Sequence, residues 1–332
     1  MPNLPKPRLR RSARDRVDAH VTPPPSPEPK IEVTEYGGLR WINIDQPGPV
    51  DRAWLEEHFE FHPLDYEDVT SRNQRPKIDE YPDYLFIVLN FPVFDKDVGR
   101  LNAGELDIFV GPDFLITLPN SPLHPVEYLF ERCRTEPEMR EHLLSKGSGY
   151  LLYKIVDDSF DYCFPMLRKM GNKLDRIEEE IFEGRSEEVV RDISNVKQEI
   201  INFRKIIRPQ RTVLRDLERT KQRYLAEDME VYFDDIVDAS ERIWDMLENY
   251  KEVVDALEET NESVLSHRVN DVLRVLTAFS VVILPLTLVA SIWGMNVKVP
   301  GEGDLGAFFV IIGFMVGLLV AMLAFFRRRG WL

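Results

Sequence analysis

The stretch VLTAFSVVILPLTLVASIWGMNVKVPGEGD, residues 275–304, decides how this chain is built. Its first 19 residues, Val275 to Trp293, carry no charge. A second charge-free run of 22 residues, Leu305 to Phe326, begins directly after it. At about 1.5 Å of rise per residue, either run as a helix can cross a hydrocarbon core about 30 Å thick. A buried core helix accounts for one such run. Two, joined by only 11 residues (Gly294 to Asp304), predict an antiparallel membrane hairpin. The triplet Gly294-Met295-Asn296 carries no charge although it stands where the first helix emerges into water.

Lysine and arginine near the ends set the orientation. Arg327, Arg328 and Arg329 follow the second run, and Arg268 and Arg274 stand at the start of the first. The link holds only Lys298, with Glu302 and Asp304. Both termini are expected in the cytoplasm, with the link outside a multi-pass protein of the cell (inner or plasma) membrane.

Alternating steps of three and four along the first run give Asn270, Leu273, Thr277, Ser280, Leu284, Thr287, Ser291 and Gly294. The other side offers Val272, Val275, Phe279, Val282, Leu286, Val289 and Trp293. One stripe is small, uncharged and partly hydroxylated, which suits a helix packed around a common axis. On the stripe alone, Ser and Thr as helix–helix contacts is the stronger reading. Pro285 is expected to bend the helix.

The net charge of −15 excludes nucleic acid as a partner, since neutralising phosphates needs the opposite sign. Cys133 and Cys163, far apart and in no C-x-x-C, indicate neither a disulfide framework nor a thiolate metal site. Residues 1–29 are rich in Pro and Arg without an apolar stretch, which predicts a disordered basic tail and no secretory signal.

Residues 30–145 hold LRWINID, YLFIVLNFPVF, LDIFVG and DFLITLP, rich in β-branched and aromatic residues, with Gly111-Pro112-Asp113 as a hairpin turn. Short helices fit DRAWLEEHFE and HPLDYEDV, giving an α/β domain with a mixed or antiparallel sheet. Residues 146–228 read as a helical arm, with Leu174, Ile177 and Ile181 and then Val189 to Ile207 at three- and four-residue steps. Pro209 is expected to end or kink it. From Gln210 to Leu284 there is neither Gly nor Pro. Ile236, Ile243, Leu247, Tyr250, Val254, Leu257 and Val264 form a coiled-coil seam. A helix over residues 229–293 would be about 100 Å long. Its seam needs covering, which predicts oligomerisation. The remaining segments are the link (294–304), the second span (305–326) and a basic tail (327–332).

Nothing points to an enzyme. His58 and His62 in HFEFH are four apart, but the zincin pattern needs Glu directly after the first His, and here Glu60 is second after it. Pro63 is expected to end that helix, leaving a surface and a capping histidine. There is no phosphate-binding Gly loop, no G-x-S-x-G and no Cys/His pair suited to nucleophilic catalysis.

An N-terminal α/β domain, long helices, two spans, Gly294-Met295-Asn296 at the end of the first and a tail RRRGWL together resemble the CorA family of magnesium channels, whose signature is Gly-Met-Asn at that position. HPLDYEDV followed by QRPKIDEY, and VNDVLRVLTAFSVVILPLTLVASIWGMN, extend the resemblance over residues 31–332. It implies an α+β membrane protein assembled as a funnel-shaped homopentamer, with a helical stalk continuing into the first span. Asn270, Leu273, Leu276, Leu284, Thr287 and Ser291 become expected pore-lining positions, and Gly294, Met295 and Asn296 the selectivity mouth. Met295 is expected to pack in support of the link. Glu302 and Asp304 would concentrate cations outside, and Arg327 to Arg329 would form a basic collar.

The resemblance further implies closure by the channel's own ion, bound between subunits at Asp95 and Asp235, with Glu259 as a second acidic position. Mg2+, and with it Co2+ and Ni2+, is the expected transported ion, and Mg2+ also the regulatory one, with no other cofactor. The expected partners are divalent metal ions, membrane lipid and copies of the chain itself. Trp293 replaces the more usual Tyr, and VKVPGEGD lacks the Met-Pro-Glu-Leu run of many members. The alternatives are a Zn2+ transporter of the same superfamily and a membrane scaffold that senses metal without conducting it.

Overall fold

The computed structural model describes residues 28–71, 74–95, 99–183, 186–220, 229–295 and 305–331. The chain divides into two compact units, one of residues up to 172 with 197–251, the other of 173–196 with 252 onward.

The first unit is built on six strands: β1 (Glu32–Tyr36), β2 (Leu39–Asn43), β3 (Lys77–Glu80), β4 (Leu85–Asp95), β5 (Arg100–Val110) and β6 (Phe114–Pro119). Their order is β1-β2-β6-β5-β4-β3, antiparallel throughout except for the parallel pair β2–β6. The expected turn at Gly111 closes the β5–β6 hairpin, with the Gly111 N–H donating to the Phe114 carbonyl at 2.9 Å. Alternation along β4 sends Phe86 and Val88 to one face and Leu85, Ile87 and Leu89 to the other, all fully buried. Helices α1 (Pro49–His58) and α2 (Pro63–Thr70) cover the first face through Leu55, Tyr66 and Val69. Phe61 stacks on Phe109 there at 4.1 Å. Helices α3 (His124–Thr135), α4 (Pro137–Leu144) and α5 (Ser148–Asp161) lie on the other side. There Phe130 meets Trp41 edge-on at 5.0 Å and Phe160 meets Phe91 at 5.3 Å.

Pro63 does not end α1. That helix stops at His58, and Pro63 is the first residue of α2, where its missing N–H costs nothing. His62 is the N-cap of α2, its ring accepting the Leu64 N–H at 3.3 Å, while His58 stacks on Trp54 at 4.2 Å. The two rings therefore sit on separate elements in structural roles.

Three long helices follow: α6 (Cys163–Glu183), α7 (Ser186–Arg219) and α8 (Met229–Trp293). Pro209 neither ends nor interrupts α7, which continues to Arg219. Proline leaves the carbonyl four residues earlier without its donor, but the next residue compensates by anchoring the helix. Gln210 is fully buried; its Oε1 accepts the Asn90 N–H at 3.0 Å, and its Nε2 donates to the carbonyls of Asn90 and, at 3.1 Å, Ile206. The helix is thus clamped to the middle of β4.

The α8 seam also differs from expectation. Ile236, Ile243, Leu247, Val254 and Leu257 are already buried within one chain. In the first unit, Arg204–Glu248 and Arg211–Glu241 ion pairs tie α7 to α8, both guanidiniums lying about 5 Å from the Trp244 ring. Periodicity shows that a face is covered, and here other helices of the same chain cover it. The seam therefore gives no argument for oligomerisation.

In the second unit, α8 runs unbroken through Pro285, and α9 (Leu305–Arg328) packs antiparallel to it. Their contact is narrow: Ala278, Val282 and Phe326 are buried, with Leu286, Leu319 and Met322 beside them. Elsewhere Val272, Leu276, Leu284, Phe309 and Val310 are all at least 60 % exposed. Such helices, apolar almost all round, suit hydrocarbon and not water. The tail RRRGWL stops α9 with a Schellman motif. Gly330, at φ +70, donates to Arg327, and Trp331 donates to Phe326 at 3.0 Å while packing on its ring.

One buried charge stands out in the first unit. Asp107 on β5 is 2 % exposed, opposite Val88 and Leu118, and its Oδ1 has no hydrogen-bond partner among the described residues. Burial pushes its carboxyl well above the usual range; Glu105 and Asp68 add to this and Lys77 opposes it. A raised acid favours the folded state below its unfolded pKa, and that contribution is lost as pH rises towards the folded value. Asp107→Asn removes the titration. Thermal unfolding from about pH 5 to about pH 8 should therefore show the variant gaining on the parent by a few degrees as pH rises. Parallel pH profiles would contradict this account of Asp107.

Candidate ion path and metal-sensing carboxylates

The face of α8 turned away from α9 is set by helical geometry. At about 100° per residue, Ser280, Leu284, Thr287 and Ser291 point roughly opposite to the Ala278–Val282–Leu286 contact. Leu273, Leu276 and Leu284 on this side are 52 %, 60 % and 74 % exposed. The hydroxyls of Thr277, Ser280 and Thr287 donate to the carbonyls of Leu273, Leu276 and Ile283 at 2.7, 2.9 and 3.0 Å. Their protons are spent inside the helix, leaving oxygen lone pairs directed outward as acceptors. Asn270 is exposed at the charged end of the span, where Arg274 pairs with Asp271 at 3.2 Å.

At the other end the Gly294 N–H donates to the Ala290 carbonyl at 2.9 Å. A Cβ at residue 294 would stand 3.0 Å from that same oxygen, so a side chain there requires this last turn to give by a few tenths of an ångström. Met295 is 58 % exposed, and the link it is expected to support lies outside the described residues. Asn296, Glu302 and Asp304 lie outside the described residues. Arg327, Arg328 and Arg329 are exposed around the end of α9, Arg329 over the Phe325 ring at 5.7 Å.

The three sensor carboxylates stand on different elements. Asp95 ends β4, half-buried, with the Asn102 amide 3.5 Å from its Oδ2. Asp235 is exposed on α8 and accepts the Tyr153 hydroxyl at 3.3 Å. Glu259, exposed and further along α8, belongs to the second unit. Among the described residues, no three His, Cys, Asp or Glu of one chain converge on a metal position.

The segments HPLDYEDV and QRPKIDEY, both in the first unit, pack on one another. Lys77 Nζ lies 2.7 Å from Asp68, and the hydroxyls of Tyr81 and Tyr84 donate to Asp65 at 3.1 and 2.7 Å. Burial raises the Asp65 carboxyl against the two tyrosine hydrogen bonds that lower it. These residues hold the sheet to α2 and offer no free ligands. Tyr153 was not singled out in the sequence; its signal is the i, i+3 tyrosine pair at 150 and 153, one helix turn before Asp157.

The CorA-like Mg2+ transporter protein family matches residues 36–328. The chain belongs to this family. It is 30 % identical to the cobalt/magnesium transport protein CorA of Thermotoga maritima, over 88 % of this chain and 83 % of that one. The complete structure of the CorA magnesium transporter from Methanocaldococcus jannaschii shares the fold, with a TM-score of 0.80 at 21 % identity over 91 % and 94 % of the two chains. More distantly, the zinc transport protein ZntB of Yersinia pseudotuberculosis is 18 % identical over 88 % of each chain. Family membership makes this a membrane transporter of divalent metal ions and not an enzyme, with α8 and α9 as its candidate spans.

The close approach at Gly294 yields a direct expectation for this CorA-like protein. Gly294→Ala forces the last turn of α8 to shift and should lower metal-ion uptake several-fold, with thermal unfolding unchanged within about 1 kcal/mol. Uptake at the parent rate would show that the turn tolerates a Cβ.

Proposed function

We propose that this chain conducts Mg2+, and with it Co2+ and Ni2+, into the cell along an axis lined by the α8 helices of a homopentamer. The observation that carries this reading is the α8 face opposite α9: uncharged, bearing outward hydroxyl lone pairs and running straight into Gly294-Met295-Asn296. The name of the Thermotoga maritima relative, a cobalt/magnesium transport protein, supports the ion.

Mg2+ gives up its waters reluctantly, so a path that strips the ion would be slow. A ring of Asn296 amide oxygens accepts hydrogen bonds from the hydration shell and leaves the ion dressed. A carboxylate ring would hold it more tightly and release it more slowly. Outward hydroxyl oxygens at Ser280 and Thr287 continue the same chemistry down the axis. Rings of Leu273, Leu276 and Leu284 close the path by excluding water. Asn270 forms a polar ring at the inner mouth, Glu302 and Asp304 gather cations outside, and Arg327 to Arg329 encircle the inner end with both termini in the cytoplasm. Asp95 of one subunit and Asp235 of the next repel each other when empty and are bridged by intracellular Mg2+, with Glu259 contributing to the same response. Loss of that ion loosens the interface and frees the axis.

The ZntB relative favours a second reading, Zn2+ transport. Zn2+ prefers imidazole and thiolate ligands, and residues 272–295 contain neither His nor Cys. The chemistry of the lining therefore favours Mg2+.

Asn296→Ala tests the mouth. In liposomes the variant should take up Mg2+ at roughly a tenth of the parent rate or less, while its assembly size on a sizing column is unchanged. Parent-like Mg2+ uptake would remove Asn296 from the selectivity role.

A further inference from the structure

We propose that Tyr153 positions the Asp235 carboxylate to receive a divalent cation. This deepens the reading of Asp235 as a sensor ligand and rests on it. The Tyr153 hydroxyl donates to Asp235 Oδ2 at 3.3 Å, joining α5 to α8 within the first unit. A carboxylate held through one oxygen keeps the lone pairs of the other for an incoming ion, and the ordering cost is met before the ion arrives.

The ring that carries this hydroxyl is itself fixed. Tyr232, three residues before Asp235 on α8, lies 4.9 Å from the Tyr153 ring, and Tyr150 lies 5.8 Å from it. Tyr150 meets Tyr232 edge-on at 5.5 Å, closing a triangle of three rings. Lys146 caps the Tyr150 ring at 4.1 Å. The hydroxyl thus has little freedom to leave Asp235.

Its chemistry suits a donor. A phenolic hydroxyl carries its proton at cellular pH and can donate it to a carboxylate, which accepts only. Lys154 engages Asp157 at 2.9 Å and Asp158 at 2.7 Å, which keeps those two acids occupied. Asp235 has no such cation among the described ion pairs. Its interaction with Tyr153 orients the carboxylate without neutralising it, which leaves its charge for the ion.

Orienting groups of this kind are worth about 10- to 100-fold in metal affinity. The test uses the full-length protein in detergent, with Mg2+ as the probe and the Mg2+-dependent rise in melting temperature as the readout. Four chains are compared: the parent, Tyr153→Phe, Asp235→Ala and the double variant. Tyr153→Phe should raise the Mg2+ concentration at half effect about ten-fold, with the melting temperature in chelator unchanged. Asp235→Ala should raise it at least as far, and the double variant should match Asp235→Ala alone, because the hydroxyl acts only through that carboxylate.

An unshifted Tyr153→Phe beside a shifted Asp235→Ala would overturn the role of Tyr153 and leave the sensor reading intact. Effects that add in the double variant would also overturn it, marking Tyr153 as a packing residue. An unshifted Asp235→Ala would overturn the sensor reading and the inference with it.

Discussion

Everything distinctive in this chain follows from α8 having to satisfy two solvents. Between Met229 and Leu257 it carries a periodic apolar seam buried by the chain's own helices, under a polar outer surface tied down by arginine–glutamate pairs. From Val275 to Trp293 the same helix is uncharged and largely exposed, with only the Ala278–Val282–Leu286 strip covered by α9. Backbone groups in hydrocarbon must be bonded within the segment, which a continuous helix provides. The hydroxyls of Thr277, Ser280 and Thr287 obey the same constraint by bonding to carbonyls of their own helix.

That constraint also limits what the exposed face can be. Lipid suits the leucines and valines, and on the proposed reading the hydroxyls of this face turn to a shared aqueous axis. A hydrated divalent ion asks for many weak acceptors and no stripping site. An uncharged lining would meet that requirement, and in the sequence charge stands only to either side of the two spans, with Glu302 and Asp304 in the link and Arg327 to Arg329 after the second.

Much of this was legible in sequence because its signals are local. Charge-free runs of 19 and 22 residues announce spans whatever packs beside them. Gly111-Pro112-Asp113 announces a hairpin, and His62 before Pro63 announces a helix cap. What stayed hidden depends on contacts across the chain. Periodicity placed the α8 seam correctly, yet it cannot say whether the cover comes from the same chain or another. Pro209 argues for a helix end until Gln210 is seen bonded to Asn90, 120 residues away. Asp107 reads as an ordinary strand acid until the sheet register sets it opposite Val88 and Leu118. Tyr153 and Asp235 are 82 residues apart, and no short pattern joins them.

The measurement that tests the central claim most directly is thiol accessibility along α8 during Mg2+ uptake. Cys133 and Cys163 are buried, so the parent offers a quiet background to a charged thiol reagent. Cysteine is placed singly at Leu284, Thr287 and Ser291 on the outward face, and at Val282 and Leu286 beside α9. If the outward face lines the ion path, the reagent blocks uptake at the first three positions and spares the last two. Block at Val282 and Leu286 with free passage at the others would put the ions on the wrong side of the helix and contradict the account.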